Sequence, residues 1–176
     1  MLLPLKRTAI FGNSGSGKST LARYVSETFH ATHLDLDSVA WAKADPIKRR
    51  SLEESAKAIH TFTQAHRHWV VEGCYTSLIK LICDETDELV FLNPGVSACQ
   101  ANCRNRPWEP HKYASKADQD KNLPMLLDWV AAYESRDDEF SLSAHRHLFK
   151  NFTGAKIELT SRDEVQLWMK TKATAS

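Results

Sequence analysis

Eight residues near the start of the chain have the types and spacing that phosphate binding requires. The run Gly12-Asn13-Ser14-Gly15-Ser16-Gly17-Lys18-Ser19 fits the pattern G-x-x-x-x-G-K-[ST]. In such a loop the backbone N–H groups wrap a triphosphate, Lys18 reaches the β- and γ-phosphates, and the Ser19 hydroxyl can ligate Mg²⁺. The predicted nucleotide-binding residues are Gly12, Asn13, Ser14, Gly15, Ser16, Gly17, Lys18, Ser19 and Thr20. The alternative is a flexible turn rich in Gly and Ser.

The segments on either side of this loop favour the phosphate site over the turn. A strand is predicted over residues 6–11, where residues 8–11 form a short apolar run that is typical of a parallel strand buried on both faces. After the loop, Leu21, Val25 and Phe29 recur every four residues, as on a helix that packs against a sheet. The loop therefore joins a strand to the N-terminus of a helix, where anions bind well.

The rest of the chain alternates between strand and helix patterns. Further strands are predicted at 33–37, 69–71, 87–93 and 157–160, and helices are predicted to start near Ser51, Val96, Leu123, Ser141 and Ser161. Ser51 with Glu54, and Ser161 with Glu164, have the spacing of capping boxes. This order predicts an α/β fold: a parallel sheet of five strands, helices on both faces, and ligands at the carboxyl ends of the strands.

Acidic residues follow two of these strands, at the edge where the γ-phosphate would lie. Asp35 and Asp37 end the second strand and Glu72 follows the third. Phosphoryl transfer needs a group that accepts or orients the proton of the attacking hydroxyl and acids that hold hydrated Mg²⁺. We predict the first role for Asp37. The alternatives are an N-cap for Asp37 and a solvated strand end for Glu72.

Phosphoryl transfer also needs cations, and basic residues cluster in the second half of the chain. Arginine suits planar, bidentate phosphate contacts. The candidates are Arg104, Arg106, Lys112 and Arg136. Alternating charges at solvated helix ends are the alternative for any one of them.

Composition limits the class of protein. The chain has 176 residues, with 23 Lys and Arg against 22 Asp and Glu, so its formal charge of +1 supplies no field for holding nucleic acid or an anionic membrane. No apolar stretch approaches the about 20 residues of a membrane helix, and we expect one cytoplasmic domain. The four cysteines lack C-x-x-C spacing and are predicted to be reduced. Cys99 and Cys103, four apart on a predicted helix, are predicted to be packing residues, with a metal pair as the alternative. The histidines, His145 among them, are predicted to lie on the surface or in a lid.

The order of these motifs resembles a known group. The P-loop is followed by Leu34-Asp35-Leu36-Asp37 with Trp41 four residues later, then by Trp69-Val70-Val71-Glu72-Gly73-Cys74-Tyr75, and then by an arginine-bearing helix ahead of a short lid. This order is similar to the adenylate-kinase-related small kinases, and most similar to the topology modulation proteins, over about residues 5–170.

The resemblance implies a nucleoside-monophosphate-kinase-like core that binds ATP on the P-loop. It implies one P-loop kinase domain over 1–176, with an acceptor-side helical segment at 38–66 and a lid at 107–140. Asp35 and Asp37 resemble the D-x-D of shikimate-kinase-like enzymes, which implies that Asp35 serves Mg²⁺ and a substrate hydroxyl. Glu72 stands where the family has Asp near Mg²⁺.

Trp41 and Tyr75 would flank the implied acceptor pocket, where a flat substrate could stack; the alternative is that both aromatic rings are core. The run Lys48-Arg49-Arg50 could meet an anionic acceptor, with Arg50 as the candidate, or could form a solvated turn. Arg106 is the candidate cation for the acceptor, and Arg162 is placed for an adenine contact.

Two classes of function remain open from the sequence. The first is an ATP- and Mg²⁺-dependent kinase for a small-molecule or nucleotide acceptor, in which Lys18, Asp37, Arg104 and Arg136 act on the reacting groups. The second is a nucleotide-gated regulatory or nucleic-acid-associated ATPase, which the balanced charge disfavours. The acceptor and the oligomeric state are not determined by the sequence, because relatives with this core handle many acceptors.

Overall fold

The computed structural model describes residues 7–42, 47–110 and 112–174. Lys6, which was predicted to open the first strand, and both ends of the predicted 1–176 domain lie outside these residues. The strands are β1 (Arg7–Gly12), β2 (Thr32–Asp35), β3 (Trp41–Ala42), β4 (Lys48–Arg49), β5 (Trp69–Gly73), β6 (Glu88–Leu92) and β7 (Ala155–Leu159). Five of them form a parallel sheet in the order β2-β5-β1-β6-β7, and β3 and β4 form a separate antiparallel hairpin.

Eight α-helices connect and cover these strands in the described part of the chain. They are α1 (Lys18–Phe29), α2 (Asp37–Ala40), α3 (Leu52–Ala65), α4 (Thr76–Lys80), α5 (Val96–Arg104), α6 (Lys116–Ala131), α7 (Leu142–Asn151) and α8 (Arg162–Thr174). The predicted fold class, an α/β fold with a five-stranded parallel sheet, is confirmed. The predicted capping box of α3 is also present, since Ser51 and Glu54 exchange side-chain and backbone hydrogen bonds.

Alternating residues of the strands build one core on each face of the sheet. Ala9 and Phe11 of β1 face a cluster that includes Ile59 of α3 and Leu148 of α7. Ile10, between them, faces the other cluster, which contains residues of α1 and α8. The side-chain period of two therefore buries all of β5 and β6 and every residue of β1 except Arg7. This double burial explains why these strands appear in the sequence as continuous apolar runs.

Several local elements differ from the sequence predictions. The second strand ends at Asp35 rather than at residue 37, because the Asp35 carboxylate accepts a hydrogen bond from the backbone N–H of Asp37 and turns the chain into α2. Helix α6 begins at Lys116, well before the apolar period that predicted it, since Ser115 caps it. The hairpin of β3 and β4 was not predicted, because strands of two residues carry no periodicity.

The surface or lid position predicted for His145 is wrong. Its side chain is fully buried and packs edge-on against the stacked rings of Phe11 and Phe91. Nε2 lies 2.9 Å from the carbonyl oxygen of Cys74, so Nε2 carries the hydrogen, and Nδ1 accepts the hydroxyl of Tyr133 at 2.7 Å. Burial lowers the pKa of His145 to about 4. The ring is therefore neutral in the folded protein near neutral pH.

We predict that His145 makes the protein lose stability in mild acid. Unfolded histidine takes up a proton near pH 6.5, whereas the folded ring does so only near pH 4. The unfolded state therefore binds more protons between these values, and the free energy of unfolding falls with pH across this window by up to about 3 kcal/mol. Urea unfolding of the wild type and of His145→Gln from pH 7 to pH 4 measures the difference.

The stability gap between the two proteins should shrink as the pH falls. His147→Gln changes an exposed side chain of the same helix and is the control. Parallel pH curves for the wild type and His145→Gln would contradict the prediction.

Candidate active site

The P-loop has a backbone that only glycine adopts readily. Gly12, Gly15 and Gly17 have φ values of 153°, 77° and 97°, which side chains disfavour. Space is also restricted: a Cβ on Gly12 would lie 2.2 Å from the carbonyl oxygen of Leu92, and one on Gly15 would lie 2.4 Å from that of Cys99. The glycines therefore set both the curvature of the loop and its close contact with its neighbours.

Helices α5 and α6 hold the outer side of this loop. The Asn102 side chain donates to the carbonyl oxygen of Gly15 at 2.8 Å, and the Asn13 side chain donates to that of Val130 at 3.2 Å. Asn13 also accepts the backbone N–H of Ser14 through its amide oxygen. The two helices pack together through a small buried cluster of Cys99, Cys103 and Val130. The loop shape thus depends on helices outside the strand and helix that flank it.

The polar groups of the loop fit an anion. Lys18 Nζ donates to the carbonyl oxygen of Asn13 at 2.8 Å, inside the loop's own curve. The buried hydroxyl of Ser16 has no hydrogen-bond partner among the described residues, although buried polar groups are usually paired. An ammonium group, an unpaired hydroxyl and an open glycine backbone at a helix N-terminus together suit a polyphosphate. ATP therefore fits this loop.

The carboxylates lie beside Lys18 and Ser19 because of the strand register. Glu72 of β5 is paired with Asp35 of β2, and Glu72 lies on the same face as Val70, which packs against α1. Ser19, in the first turn of α1, donates to Glu72 Oε1 at 2.7 Å. The sheet thus brings the predicted metal residues Ser19, Asp35 and Glu72 together at one edge.

The pKa values of Glu72 and Asp35 are shifted in opposite directions. Burial raises the pKa of Glu72, but the neighbouring His33, whose Nε2 lies 3.6 Å from Oε1, and the charge of Lys18 turn the net shift downward. Burial and the charges of Glu72 and Asp37 raise the pKa of Asp35 to about 6. Glu72 is therefore a carboxylate at neutral pH, and Asp35 holds its proton more tightly.

The oxygen donors of this edge fit Mg²⁺ in part. Magnesium commonly takes one or two protein carboxylates and fills its other positions with water and phosphate oxygens. Ser19, Glu72 and Asp35 supply donors of this type. In residues 7–42, 47–110 and 112–174, no group of three or more His, Cys, Asp and Glu side chains could hold a metal ion alone. The site thus suits a cation that arrives with a nucleotide.

Asp37 has two partners, one on each oxygen. The hydroxyl of Tyr75 donates to Oδ1 at 2.5 Å, and Nζ of Lys112 lies 3.1 Å from Oδ2. Burial raises the pKa of Asp37, but the charge of Lys112 and the hydrogen bond from Tyr75 lower it, and the net shift is downward. From the sequence, Lys112 was predicted only as one of several candidate cations. The irregular segment that carries it has no periodicity from which the position of its side chain could be inferred.

Of the basic run Lys48-Arg49-Arg50, Arg49 contacts Tyr75, and the predicted acceptor role of Arg50 stays a prediction. The guanidinium of Arg49 lies 4.4 Å over the ring of Tyr75, and its Nη2 is 3.4 Å from Glu139 Oε1. Arg50 instead donates its backbone N–H to the carbonyl oxygen of Ala40. Arg49 is paired with Trp41 across the hairpin of β3 and β4, a register that the sequence did not reveal.

The two predicted acceptor aromatics differ in exposure. Trp41 is 40% exposed, whereas Tyr75 is 3% exposed and its ring is covered by Arg49 and by the edge of Phe140. A flat substrate therefore has no free face of Tyr75 on which to stack. Trp41 is more open, although the guanidinium of Arg49 also lies over its ring at 5.5 Å.

Among the described residues, the hydrogen bonds and ion pairs of the other predicted arginines do not involve the P-loop. Arg104 ends α5 and is exposed, and Arg162 opens α8 and is exposed. Arg106 pairs with Glu109 at 3.2 Å. Arg136 lies 3.5 Å over the ring of Trp129 and donates to its carbonyl oxygen. Within the described part of the chain none of the four has a hydrogen bond or ion pair with the P-loop or Asp37, and their roles stay predictions, as does that of Thr20, exposed on α1.

This fold and this loop define a P-loop nucleotide-binding protein. The family described as ABC transporter matches residues 2–146, so the chain belongs to this family of P-loop NTPases. No curated protein matches the chain. The similarity to the topology modulation proteins stays a prediction.

Two solved structures share the fold. An unliganded sugar kinase from Janibacter sp. HTCC2649 has a TM-score of 0.57 and 12% identity, over 97% of this chain and 94% of that one. A gluconokinase from Sinorhizobium meliloti 1021 has a TM-score of 0.52 and 15% identity, over 97% and 95%. At these identities the likeness shows a P-loop kinase fold. Among the described residues, none of the helices has the length and apolar character to span a membrane.

We predict that Gly15→Ala weakens ATP binding at least about tenfold. A left-handed residue with a side chain costs about 1–2 kcal/mol, and the added Cβ would also push the carbonyl of Cys99, so the loop must move from α5. Gly95→Ala is the matched control, because Gly95 has a φ of 91° but open space around its Cβ. Calorimetric titration with ATP measures both variants. Equal ATP affinity in the two variants would refute the role of the close contact.

Proposed function

We propose that the protein is an ATP- and Mg²⁺-dependent kinase that moves the γ-phosphoryl group to a hydroxyl or phosphate of a small-molecule or nucleotide acceptor. The observation that carries the proposal is the fixed carboxylate of Asp37, which lies at the same sheet edge as the paired Ser19 and Glu72. A wall that includes Trp41 and Arg49 flanks it. Side chains beside Asp37 can contact a second substrate, whereas simple hydrolysis by water would not need them.

Each residue of the site has its own role in the proposed reaction. Lys18 would hold the β- and γ-phosphates, and Ser19, Glu72 and Asp35 would hold Mg²⁺, which would supply positive charge to the phosphates. Asp37 orients the acceptor hydroxyl and takes its proton as the new O–P bond forms and the bond from the γ-phosphorus to the ADP oxygen breaks. Lys112, 3.1 Å from Asp37, is close enough to contact the transferring group.

The remaining segments would serve the acceptor and the closure of the site. Segment 38–66 carries the hairpin and α3, with Arg49 and Trp41 at the acceptor. Segment 107–140 carries Lys112 and α6 and would act as the lid that excludes water. In this proposal Arg104, Arg106 and Arg136 reach the phosphates only after the lid moves, and Arg162 contacts the adenine. The fold neighbours named as a sugar kinase and a gluconokinase support a polyol or sugar acceptor as the first to test.

A second candidate is an ATPase that couples slow hydrolysis to a change of shape. The match to the ABC transporter family, whose members share the P-loop, favours it. It differs from the kinase in one measurable respect: its release of ADP does not depend on an acceptor.

The first test is ADP release from ATP and Mg²⁺, with and without a panel of sugars, polyol acids, nucleosides and nucleotides. We expect one class of acceptor to raise the wild-type rate and Lys18→Ala to abolish this gain, since the variant lacks the cation on the phosphates. Lys57→Ala, at an exposed position of α3, is the control. Acceptor-independent release across the panel would replace the kinase with the ATPase.

Asp37→Asn tests the acceptor side separately. We expect kcat for transfer to fall about 100-fold or more, because an amide cannot take the proton, while the KM for ATP changes little. Steady-state kinetics with the acceptor found above measures both constants, and Asp163→Asn on the exposed face of α8 is the control. A variant with wild-type kcat would remove Asp37 from the mechanism.

A further inference from the structure

Tyr75 occupies a position that its predicted role as a substrate contact does not explain. It lies just after β5 with 3% of its surface exposed. Its hydroxyl makes two hydrogen bonds: it accepts the indole N–H of Trp41 at 2.7 Å and donates to Asp37 Oδ1 at 2.5 Å. Both bonds connect it to residues of the acceptor side.

The direction of these bonds is fixed by chemistry. The indole nitrogen of Trp41 can only donate, so the oxygen of Tyr75 must accept there. The single hydrogen of the phenol is then free for one acceptor, which is the carboxylate of Asp37. Burial and the charge of Asp37 raise the pKa of Tyr75, so the phenol keeps this hydrogen. The hydrogen-bond relay therefore runs in one direction only: the indole of Trp41 donates to the hydroxyl of Tyr75, and this hydroxyl donates to Asp37.

The ring that carries this hydroxyl is held by packing. The guanidinium of Arg49 covers it at 4.4 Å and the ring of Phe140 meets it edge-on, with centroids 5.3 Å apart. On the backbone side, a Cβ on Gly73 would come within 3.1 Å of the ring. The position of the hydroxyl is thus set by the protein itself, without a substrate.

The two oxygens of Asp37 have partners of different kinds. Oδ1 accepts the hydrogen bond of the buried Tyr75. Oδ2 contacts Lys112, which belongs to the irregular segment between α5 and α6. An acceptor hydroxyl could approach Oδ2 if Lys112 shifted. Oδ1 would become available only if the packing around Tyr75 were disrupted.

We infer that Tyr75 is a positioning residue: its hydroxyl, oriented by Trp41, fixes Oδ1 of Asp37 so that Oδ2 is presented to the acceptor hydroxyl. This inference rests on the proposed kinase function. It assigns the hydroxyl of Tyr75 and the indole nitrogen of Trp41 to the positioning of the reacting carboxylate. Of these two side chains, only the exposed ring of Trp41 is then left to contact the acceptor.

Tyr75→Phe tests the inference with little loss of packing. A carboxylate that is misplaced by about 1 Å can cost about 100-fold in rate, so we expect kcat to fall about 10- to 100-fold, with the KM for ATP within about twofold of the wild type. Trp41→Phe should give a smaller fall in the same direction. Tyr133→Phe is the matched control, because it also removes one buried phenolic hydroxyl, which here bonds to His145.

Combining variants separates positioning from a general loss of structure. In the Asp37→Asn background, Tyr75→Phe should lower kcat by no more than about twofold, because the carboxylate that it orients is gone. A structural effect would instead multiply with that of Asp37→Asn and would also appear in Tyr133→Phe. Either result would overturn the inference.

The hydrogen-bond relay also has a readout that needs no turnover. In ¹⁵N–¹H spectra the indole signal of Trp41, assigned with Trp41→Phe, should shift in Tyr75→Phe and Asp37→Asn but not in Tyr133→Phe. An unshifted signal would overturn the relay. If the wild type transfers phosphate and Tyr75→Phe keeps its kcat within about twofold, the inference fails alone; if no acceptor stimulates the wild type, the kinase function fails and the inference with it.

Discussion

The burial of one carboxylate organises the edge of the sheet beside the P-loop. Glu72 is 2% exposed at the end of a central strand, and an ionised group in such a place is costly unless hydrogen bonds and opposite charge surround it. Ser19, Lys18 and His33 supply them. Helix α1, the loop before it and strand β2 must therefore keep their places around Glu72, which gives the nucleotide side of the site a rigid frame before any ligand binds.

The nucleotide side was largely predictable from the sequence, and the acceptor side was not. Glycines at fixed spacing and apolar strands indicate backbone geometry directly, so the loop and the order of elements followed from residue types. Arg49 ends the two-residue strand β4 and Arg50 follows it, and two residues carry no periodicity that would tell which of the arginines contacts Tyr75. His145 lies on an amphipathic helix whose buried face could be inferred, but the stacked rings that it meets come from distant strands.

This difference has a physical origin that also limits the functional conclusion. Phosphate is bound mainly by backbone groups, whose arrangement many sequences share, whereas an acceptor is recognised by side chains on short elements that vary freely. The P-loop fold therefore defines the donor chemistry. The identity of the acceptor depends on the hairpin and the wall around Asp37, which the shared fold does not specify.

The hydrogen bond from Asn13 to the carbonyl oxygen of Val130 ties the C-terminal end of α6 to the P-loop. If the helix tilted, it would rotate about this end. The helix has 16 residues and is about 24 Å long. With the Val130 end tethered, a tilt of about 10° displaces its first turn by about 4 Å. Gln119 joins that end of α6 to the chain at Pro107, so the same tilt would draw Lys112 out of contact with Asp37. A small shift at the P-loop would then become a larger displacement at the end of α6 nearer to Lys112.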